Sequence, residues 1–278
     1  MKEKAFTLIE IMVVMAIISV LAGIMAPAVW KFWEGEEIAT TRERMREIKK
    51  GLVGDKSLVQ NGVRTHYGFV GDNGELPFTN ISAAGGLSYL VSKPVGGYPH
   101  WNGPYLTGFG SEWNKDAWGN TFRYTLTKDA YGRYVSAELR SAGLDGVFDT
   151  PDDIVDPDVQ VYDRDVTPTN RIRIQGNILN NYSGGLKITL KFKDPTDPTG
   201  IYSQPPLCKQ LKKASGFSNY TTLLLDSSLN PLKLPVGGIE ITTTLHHSTD
   251  CTDSLPSTNN FLYFVSDNIN QIILPELR

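Results

Sequence analysis

The chain opens with a long apolar run that contains one acid near its start. The run begins at Ala5-Phe6-Thr7-Leu8-Ile9, passes Glu10, and meets no further charged side chain until Lys31. Its roughly 20 residues are enough for one membrane-spanning helix. A carboxylate inside such a helix costs at least about 2.5–3.5 kcal/mol, so Glu10 needs a partner that offsets this cost. The pattern predicts a transmembrane helix with a functional acid.

Apolar residues recur at helical spacing beyond the run. The residues expected on one helix face are Ile38, Met45, Ile48 and Leu52. One helix is therefore predicted within 6–60, with its end marked by Gly51 and Gly54. Pro27 removes one hydrogen bond and predicts a kink, with or without a functional role.

The centre of the chain predicts a small α+β head over 61–160. Residues 62–104 are rich in Gly, Asn, Ser and Pro, which is typical of a long connection with short helical or strand pieces. Strands are predicted at 121–126 and 134–139, joined by turn residues at 129–132 as an antiparallel hairpin. This sheet is expected to pack on the second half of the helix.

Strand-like alternation also marks the last part of the chain, over 165–278. The four runs are 171–174, 186–192, 239–244 and 261–265. Turns rich in Pro and Gly separate them, which predicts a β-rich, sandwich-like C-terminal domain. The acid-rich stretch from Asp156 to Pro168 is interpreted as a linker.

Charge narrows the possible partners and the orientation. The 278 residues have a net charge of -3 and no basic footprint, so nucleic acid is not expected as a partner. Two lysines, Lys2 and Lys4, precede the apolar run, whereas acids follow it at 34, 36 and 37. The positive-inside rule places the amino terminus in the cytoplasm and the bulk of the chain outside.

The two cysteines, Cys208 and Cys251, both lie in the part that is predicted to be exported. In an oxidising compartment such a pair is expected to form a disulfide. A metal or redox role is disfavoured, because the chain has no Cys-x-x-Cys motif.

The start of the chain resembles the signal of type IV pilins and type II secretion pseudopilins. Phe6-Thr7-Leu8-Ile9-Glu10 follows a short leader, residues 1–5, and precedes the apolar helix. The resemblance implies that a prepilin peptidase of the inner membrane cuts between Ala5 and Phe6 and methylates the new amino terminus. It also implies that Glu10 pairs with the amino terminus of Phe6 in a neighbouring subunit. The family usually has glycine where this chain has Ala5.

Two plainer interpretations stay open for the same segment. A secretory signal peptide would place its cleavage site at the far end of the apolar core, near Ala22-Gly23-Ile24-Met25-Ala26. A plain single-pass anchor would need only the apolar run. Neither of them gives a reason for an acid at position 10.

Two later stretches are similar to the major pseudopilin of type II secretion. They are Asn102-Gly103-Pro104-Tyr105-Leu106 and Lys115-Asp116-Ala117-Trp118-Gly119-Asn120-Thr121-Phe122-Arg123-Tyr124. Ala117 and Thr121 stand where that family usually has proline. Trp118 and Tyr124 are predicted to be core aromatic residues rather than ligand contacts.

Residues 141–154 resemble the loop in which major pseudopilins hold a calcium ion. Independently of the resemblance, its crowded carboxylates repel one another, and glycines at 143 and 146 allow the backbone to curl. Calcium takes about six to eight oxygen ligands in flexible geometry. The expected ligands are Asp145, Asp152 and Asp153, with Asp149 and the main-chain oxygen of Leu144 as further candidates. The alternative is a solvated acidic turn.

An enzyme is not expected. The chain lacks a Ser nucleophile elbow, a His-Glu-x-x-His helix and a P-loop. The adjacent His246 and His247 would point to opposite faces of a strand and make poor joint metal ligands.

The sequence thus predicts an α+β protein: a long N-terminal helix on a small antiparallel sheet, then a β-rich domain. The expected function is a filament-forming pseudopilin that is anchored once in the inner membrane, exposes its bulk to the periplasm and drives export. Expected partners are copies of itself, other pilin-like subunits, prepilin peptidase and the inner-membrane assembly platform. Two alternatives are a type IV pilin, major or minor, that displays an adhesive domain, and a membrane-tethered binding protein that never polymerises.

Overall fold

The computed structural model describes residues 8–79, 85–108, 110–168, 173–178, 184–193, 201–203, 207–211, 218–223, 233–253, 258–265 and 271–274. Its helices are α1 (Leu8–Val53), α2 (Gly68–Asn73) and α3 (Asp163–Val166), with 3-10 turns at Gly85–Leu90 and Gly110–Glu112. The strands are β1 (Val59–Gln60), β2 (Val63–Arg64), β3 (Arg123–Lys128), β4 (Tyr134–Arg140), β5 (Arg173–Ile178), β6 (Gly184–Lys193), β7 (Ile201–Ser203), β8 (Leu207–Leu211), β9 (Ser218–Leu223), β10 (Gly237–His246), β11 (Thr258–Val265) and β12 (Gln271–Ile273). The predicted α+β class is confirmed.

Helix α1 changes its environment along its 46 residues. The side chains described between positions 8 and 36 are exposed, although most of them up to position 33 are apolar. In the second half one face is buried. The buried residues of that face are Thr41, Met45, Ile48 and Leu52, with Ile38 partly buried beside them. This confirms the predicted helical face. The helix is continuous through position 27, and the predicted kink stays a prediction.

The helix ends at Val53, within the range marked by its glycines. Gly54 has φ 82°, and its N–H donates to the carbonyl oxygen of Lys50 at 2.8 Å. A Cβ at this position would collide with the backbone of His66 and Tyr67. Glycine therefore ends the helix and also allows the chain that leads into α2 to pack directly against it.

The predicted hairpin is present, with its first strand two residues later than expected. Strands β3 and β4 pair antiparallel from Arg123↔Arg140 to Lys128↔Tyr134. Alternate residues of β4, namely Val135, Ala137 and Leu139, are buried in the same core as the second half of α1. Trp118 and Tyr124 pack in or against this core, as predicted.

The connection before the hairpin contains the expected short pieces. Strands β1 and β2 form a two-stranded sheet, and α2 and the 3-10 turn at Gly85–Leu90 follow. Phe69 and Leu90 are fully buried, and Tyr105 N–H donates to the carbonyl oxygen of Leu90 at 2.7 Å. The connection is therefore part of the head core.

The acid-rich stretch interpreted as a linker is instead part of the head. Val159, Val161 and Val166 are buried in the head core, and Val161 pairs with Ala137 beside β4. The linker prediction was wrong because the many acids obscured these valines. One acid of α3 caps its own helix, because Asp165 Oδ2 accepts the N–H of Tyr162 at 3.0 Å.

The C-terminal region forms two sheets around a second core. One sheet has the order β11-β10-β6-β7, with β8 also paired to β6, and the other has the order β12-β5-β9. Both sheets contribute to one cluster that includes Ile174, Ile188, Ile241 and Ile272. The four predicted runs coincide with β5, β6, β10 and β11 wherever the structure describes them. The proposed domain boundaries themselves stay predictions.

The head and this C-terminal unit meet at the start of β10. Val236 is buried in the head core, and its N–H donates to the carbonyl oxygen of Val166 at 2.8 Å. A Cβ on Gly237 would lie 2.7 Å from the carbonyl oxygen of Gly71, so only glycine fits this close approach. Tyr67 of the head stacks on Phe264 of β11, with ring centroids 6.1 Å apart.

The predicted disulfide between Cys208 and Cys251 is present, and it closes a sequence separation of 43 residues. It joins β8 to the turn that follows β10. A Cβ on Gly185 of β6 would lie 2.6 Å from the Cys251 sulfur, so the bridge crosses directly over a glycine.

We expect Asp165→Asn to destabilise the head by about 2 kcal/mol, because a buried carboxylate that accepts charged hydrogen bonds is lost. Lys56 Nζ lies 2.8 Å from Asp165 Oδ1, whose side chain is 6% exposed. Burial raises the pKa of Asp165, but the hydrogen bonds from Lys56 and from Tyr162 N–H outweigh it, and the pKa is lowered.

The pH dependence follows from that direction. The stabilisation is complete above the unfolded pKa of about 3.9 and is lost as the pH falls through the lower folded pKa. Denaturant unfolding of wild type and variant should therefore differ at pH 7 and converge towards pH 3. Asp163→Asn, in the same helix but with a side chain that is 58% exposed, is the matched control and should change little. An equal loss in both variants would contradict the prediction.

Removing the disulfide by Cys208→Ser with Cys251→Ser should cost about 4 kcal/mol, because the unfolded chain regains the freedom of a long loop. All 5 tryptophans lie before position 119, so their fluorescence reports on the helix and the head. We expect the C-terminal strands, followed by circular dichroism, to unfold at a lower denaturant concentration than in wild type. The midpoint of the tryptophan fluorescence transition should not change. Unchanged strand unfolding would refute a stabilising role for the bridge.

Candidate functional site

The first candidate site is the apolar half of α1 with its acid. Glu10 lies in the first described turn and is exposed, and Ala5 and Phe6 lie outside the described residues. At 1.5 Å per residue, about 30 Å of helix separates Glu10 from Lys31, which matches the hydrocarbon thickness of a bilayer. Exposed Trp30 and Trp33 flank Lys31, as is typical of a membrane–water interface. Glu10 therefore sits near one end of the span.

The same half-helix is uncovered by any other described part of the chain. It is the one helix of the described residues that is long and apolar enough to cross a membrane, and its apolar window is not buried. Its side chains point outward in all directions around the helix. The surface is thus available to lipid and to other helices.

The second candidate site is the loop at 141–154, which a bridge between Ser141 and Ile154 closes at its base. Asp116 holds the start of this loop: it is 1% exposed, and its Oδ2 accepts the Ser141 hydroxyl at 2.6 Å. Asn120 Nδ2 donates to the carbonyl oxygen of Gly143 at 2.8 Å. Asp116 and Asn120 were not predicted as site residues, although both lie in the stretch noted for its resemblance.

Two arginines from the hairpin enter the loop. Arg123 donates to Asp149 with both terminal guanidinium nitrogens, Nη1 and Nη2, at 2.9 and 2.7 Å. Arg140 reaches Asp149 Oδ1 at 3.2 Å and Asp153 Oδ2 at 3.1 Å. The hydrogen bonds from Arg123, followed by its charge and that of Arg140, lower the pKa of Asp149. Arginine thus relieves part of the predicted carboxylate repulsion.

The other carboxylates of the loop bind its own backbone and hydroxyls. Asp152 Oδ1 accepts the Thr150 hydroxyl at 2.6 Å, and Oδ2 accepts Asp145 N–H at 3.1 Å. These hydrogen bonds, the one from Thr150 first, lower the pKa of Asp152. Asp145 Oδ1 accepts Val147 N–H at 2.8 Å, and Leu144 is exposed beside it.

The loop has the oxygen donors that a calcium ion prefers, but its described side chains do not yet converge on one point. Asp153 Oδ1 is buried and has no hydrogen-bond partner, so one carboxylate oxygen is left for a further ligand. Asp145, Asp152 and the main chain at Leu144 supply oxygen donors nearby in sequence, whereas Asp149 is engaged by both arginines. Over the described ranges no three His, Cys, Asp or Glu side chains already converge on one point.

Within the described ranges the histidines take part in no metal-ligand group. His246 is 4% exposed at the end of β10, with Nδ1 3.6 Å from Asp253 Oδ1, and the following His247 is exposed. His66 Nδ1 accepts the N–H of Asp55 at 2.9 Å, far along the chain.

Both candidate sites lie in regions that match known protein families. Residues 1–26 match the family described as "Prokaryotic N-terminal methylation motif", and residues 67–158 match "Type II secretion system (T2SS), protein G". The type II secretion system core protein G of Escherichia coli K12 is 32% identical over 154 residues, which cover 55% of this chain and 90% of that protein.

The chain belongs to the type II secretion system protein G family. The core protein G of Pseudomonas aeruginosa is 28% identical and covered to 94%, and that of Aeromonas hydrophila is 28% identical and covered to 91%. Each aligns with 55% of this chain. No solved structure matches the chain.

Family membership makes this protein a pseudopilin of type II secretion, a structural subunit that assembles with other pilin-like subunits. The methylation motif and the apolar half of α1 fit a single-pass inner-membrane protein. The protein G match ends at residue 158, so β5 to β12 and α3 lie beyond it. This pseudopilin therefore carries a C-terminal unit that the matched region does not include.

Proposed function

We propose that this pseudopilin is the repeating subunit of a filament whose growth drives folded proteins out of the periplasm. The observation that carries the proposal is the uncovered apolar half of α1, with Glu10 one bilayer thickness from Lys31. A surface of this size needs lipid before assembly and other helices after it. The work of the subunit is mechanical, and catalysis by its own side chains is not part of the proposal.

Processing prepares the end of the helix. Prepilin peptidase cuts between Ala5 and Phe6 and methylates the new amino terminus in the cytoplasm-facing leaflet. The amino terminus of Phe6 is then a cation about one helical turn, roughly 6 Å along the axis, from the acid four residues further along. The bulk of the chain lies in the periplasm. The assembly platform in the inner membrane binds the processed subunit.

Assembly offsets the cost of placing an acid in the membrane. A cation about 4 Å from Glu10 is worth roughly 4 kcal/mol at an effective dielectric of 20. The insertion cost of a carboxylate is about 2.5–3.5 kcal/mol at the centre of a membrane helix. The pairing of Glu10 with the terminus of Phe6 in the next subunit is therefore at least comparable in size to the insertion cost, and it favours the filament.

The described strands of the C-terminal unit do not cover the assembly surface. It contacts the head at α2 and at the end of α3, next to the last turn of α1. The exposed segment from Leu8 to Trp33 lies at the other end of the helix. An additional unit on every subunit is therefore compatible with helix packing.

Calcium is the proposed cofactor of the exported head. Asp145, Asp152, Asp153 and the main-chain oxygen of Leu144 would hold it, with Asp149 as a weaker candidate because arginine already binds it. The ion would supply positive charge to a loop that closes over the end of the hairpin. Asp153 Oδ1, buried without a hydrogen bond, supports this assignment.

Glu10→Val should abolish assembly while the helix still inserts. The variant removes the insertion cost and also the charge that pairs between subunits. Filaments sheared from cells and the amount of exported protein are measured, and mass spectrometry checks for methylated Phe6 in the membrane fraction. Glu34→Val, just beyond the span, is the control and should assemble. Normal filaments from the Glu10 variant, or a mature start after Ala26, would overturn the proposal in favour of a tether or a signal peptide.

Calcium should stabilise the full-length protein against heat, and a chelator should reverse this. At 100 times the dissociation constant the gain is about 2.7 kcal/mol. Asp153→Asn should remove the calcium-dependent gain, whereas Asp149→Asn should keep most of it, because that side chain serves the arginines. The measure is the difference in melting temperature with and without calcium for each variant. No difference in the wild type would refute calcium binding.

A further inference from the structure

A cavity of about 770 Å³ lies where the head meets the C-terminal unit. The head contributes α2 and the segment around Tyr105, and the C-terminal unit contributes the start of β10, the end of β6 and Phe264. Its volume falls within the range of about 300–1,000 Å³ that is usual for small-molecule sites. Neither the helix assembly nor the candidate calcium loop uses this space.

One wall of the cavity is polar. The Tyr105 hydroxyl donates to Asp72 Oδ2 at 2.8 Å and accepts the N–H of Asn102 at 2.8 Å. Partial burial raises the pKa of Asp72, although the bond from Tyr105 opposes this. A fixed carboxylate next to an exposed amide provides acceptors and donors in one place.

The opposite wall is aromatic. Tyr67 and Phe264 stack with an angle of 9° between their planes, and Phe264 is 44% exposed. Tyr67 is buried beneath it, so the stack is anchored in the head while its outer ring meets solvent. A flat apolar ring of this kind is a platform for another flat apolar surface.

Two cations and one acid line the cavity. Asp72 is negative, and Lys193 on the facing strand is positive. Arg64 also lines the space, but its guanidinium donates to the carbonyl oxygens of His66 and Val53 and is thereby committed to the backbone. Since Arg64 is only 6% exposed, Asp72 and Lys193 are the charged groups that a ligand can contact, and their charges are opposite. A neutral ligand is favoured.

We propose that this cavity, the junction cavity, binds a neutral oligosaccharide, with a sugar ring on Phe264 and sugar hydroxyls on Asp72 and Asn102. Sugar rings have an apolar C–H face and a rim of hydroxyls, which matches one aromatic wall and one hydrogen-bonding wall. A purely apolar ligand would leave Asp72 without compensation for its desolvation. The inference goes beyond the proposed export function and does not depend on it.

The test uses the full chain in lipid nanodiscs, because maltoside detergents carry sugar head groups that would compete. Saturation-transfer NMR is recorded with maltotriose, cellotriose, chitotriose and mannotriose, and with trigalacturonate as an anionic comparison. We expect transfer to at least one neutral trisaccharide. Phe264→Ala and Asp72→Asn should each weaken that binding roughly tenfold, as for a lost central contact. Leu262→Ala changes a more exposed residue of the same strand that does not line the cavity, and this variant should bind as wild type does.

Three outcomes would overturn the proposal. These are no transfer to any neutral trisaccharide, unaltered binding in both cavity variants, and preferential binding of trigalacturonate. Denaturant unfolding of each variant checks its fold, and if Phe264→Ala unfolds, Asp72→Asn decides alone. Filament assembly is scored in parallel, so that failure of sugar binding is distinguished from failure of the pseudopilus proposal.

Discussion

The face of α1 formed by Thr41, Met45, Ile48 and Leu52 is the surface on which the head folds. Strand β4, α2 and the valines before α3 all pack in the core that this face begins. The same helix continues towards its amino end with no such cover. One rigid element therefore links a folded head to a segment that is stable only in lipid or among other helices, and the change occurs within about one turn near position 37.

Periodicity was sufficient for the elements that bury one face. Apolar residues recur at helical spacing in the second half of α1, and they alternate with polar residues in the hairpin and in strands β6, β10 and β11. Each of these elements was predicted near its observed position. Strands β7, β8, β9 and β12 were missed because they are short or lie among polar and Pro-rich residues. Strand β12 also pairs parallel to β5, almost a hundred residues earlier, and local pattern cannot indicate such a distant partner.

The acidic loop shows where sequence reasoning stops. The repulsion among its carboxylates was predicted, but the arginines that relieve it were not. Arg123 and Arg140 face each other only because the hairpin register pairs them, and the turn of the loop then brings Asp149 between them. Likewise, Val159 and Val161 belong to the head because of pairing beside β4, whereas their acidic neighbours suggested a solvated linker. Both cases depend on register, which side-chain composition does not specify.

The disulfide between Cys208 and Cys251 implies an order for the maturation of the subunit. Thiols stay reduced in the cytoplasm and are oxidised outside it, so in the proposed orientation the cross-link forms only after the C-terminal strands have crossed the membrane. The head carries no cysteine and can mature without an oxidant. A cell that lacks periplasmic thiol oxidation would thus produce subunits whose heads are folded but whose C-terminal units lack the disulfide. Periplasmic proteases or chaperones would then act on the second core alone.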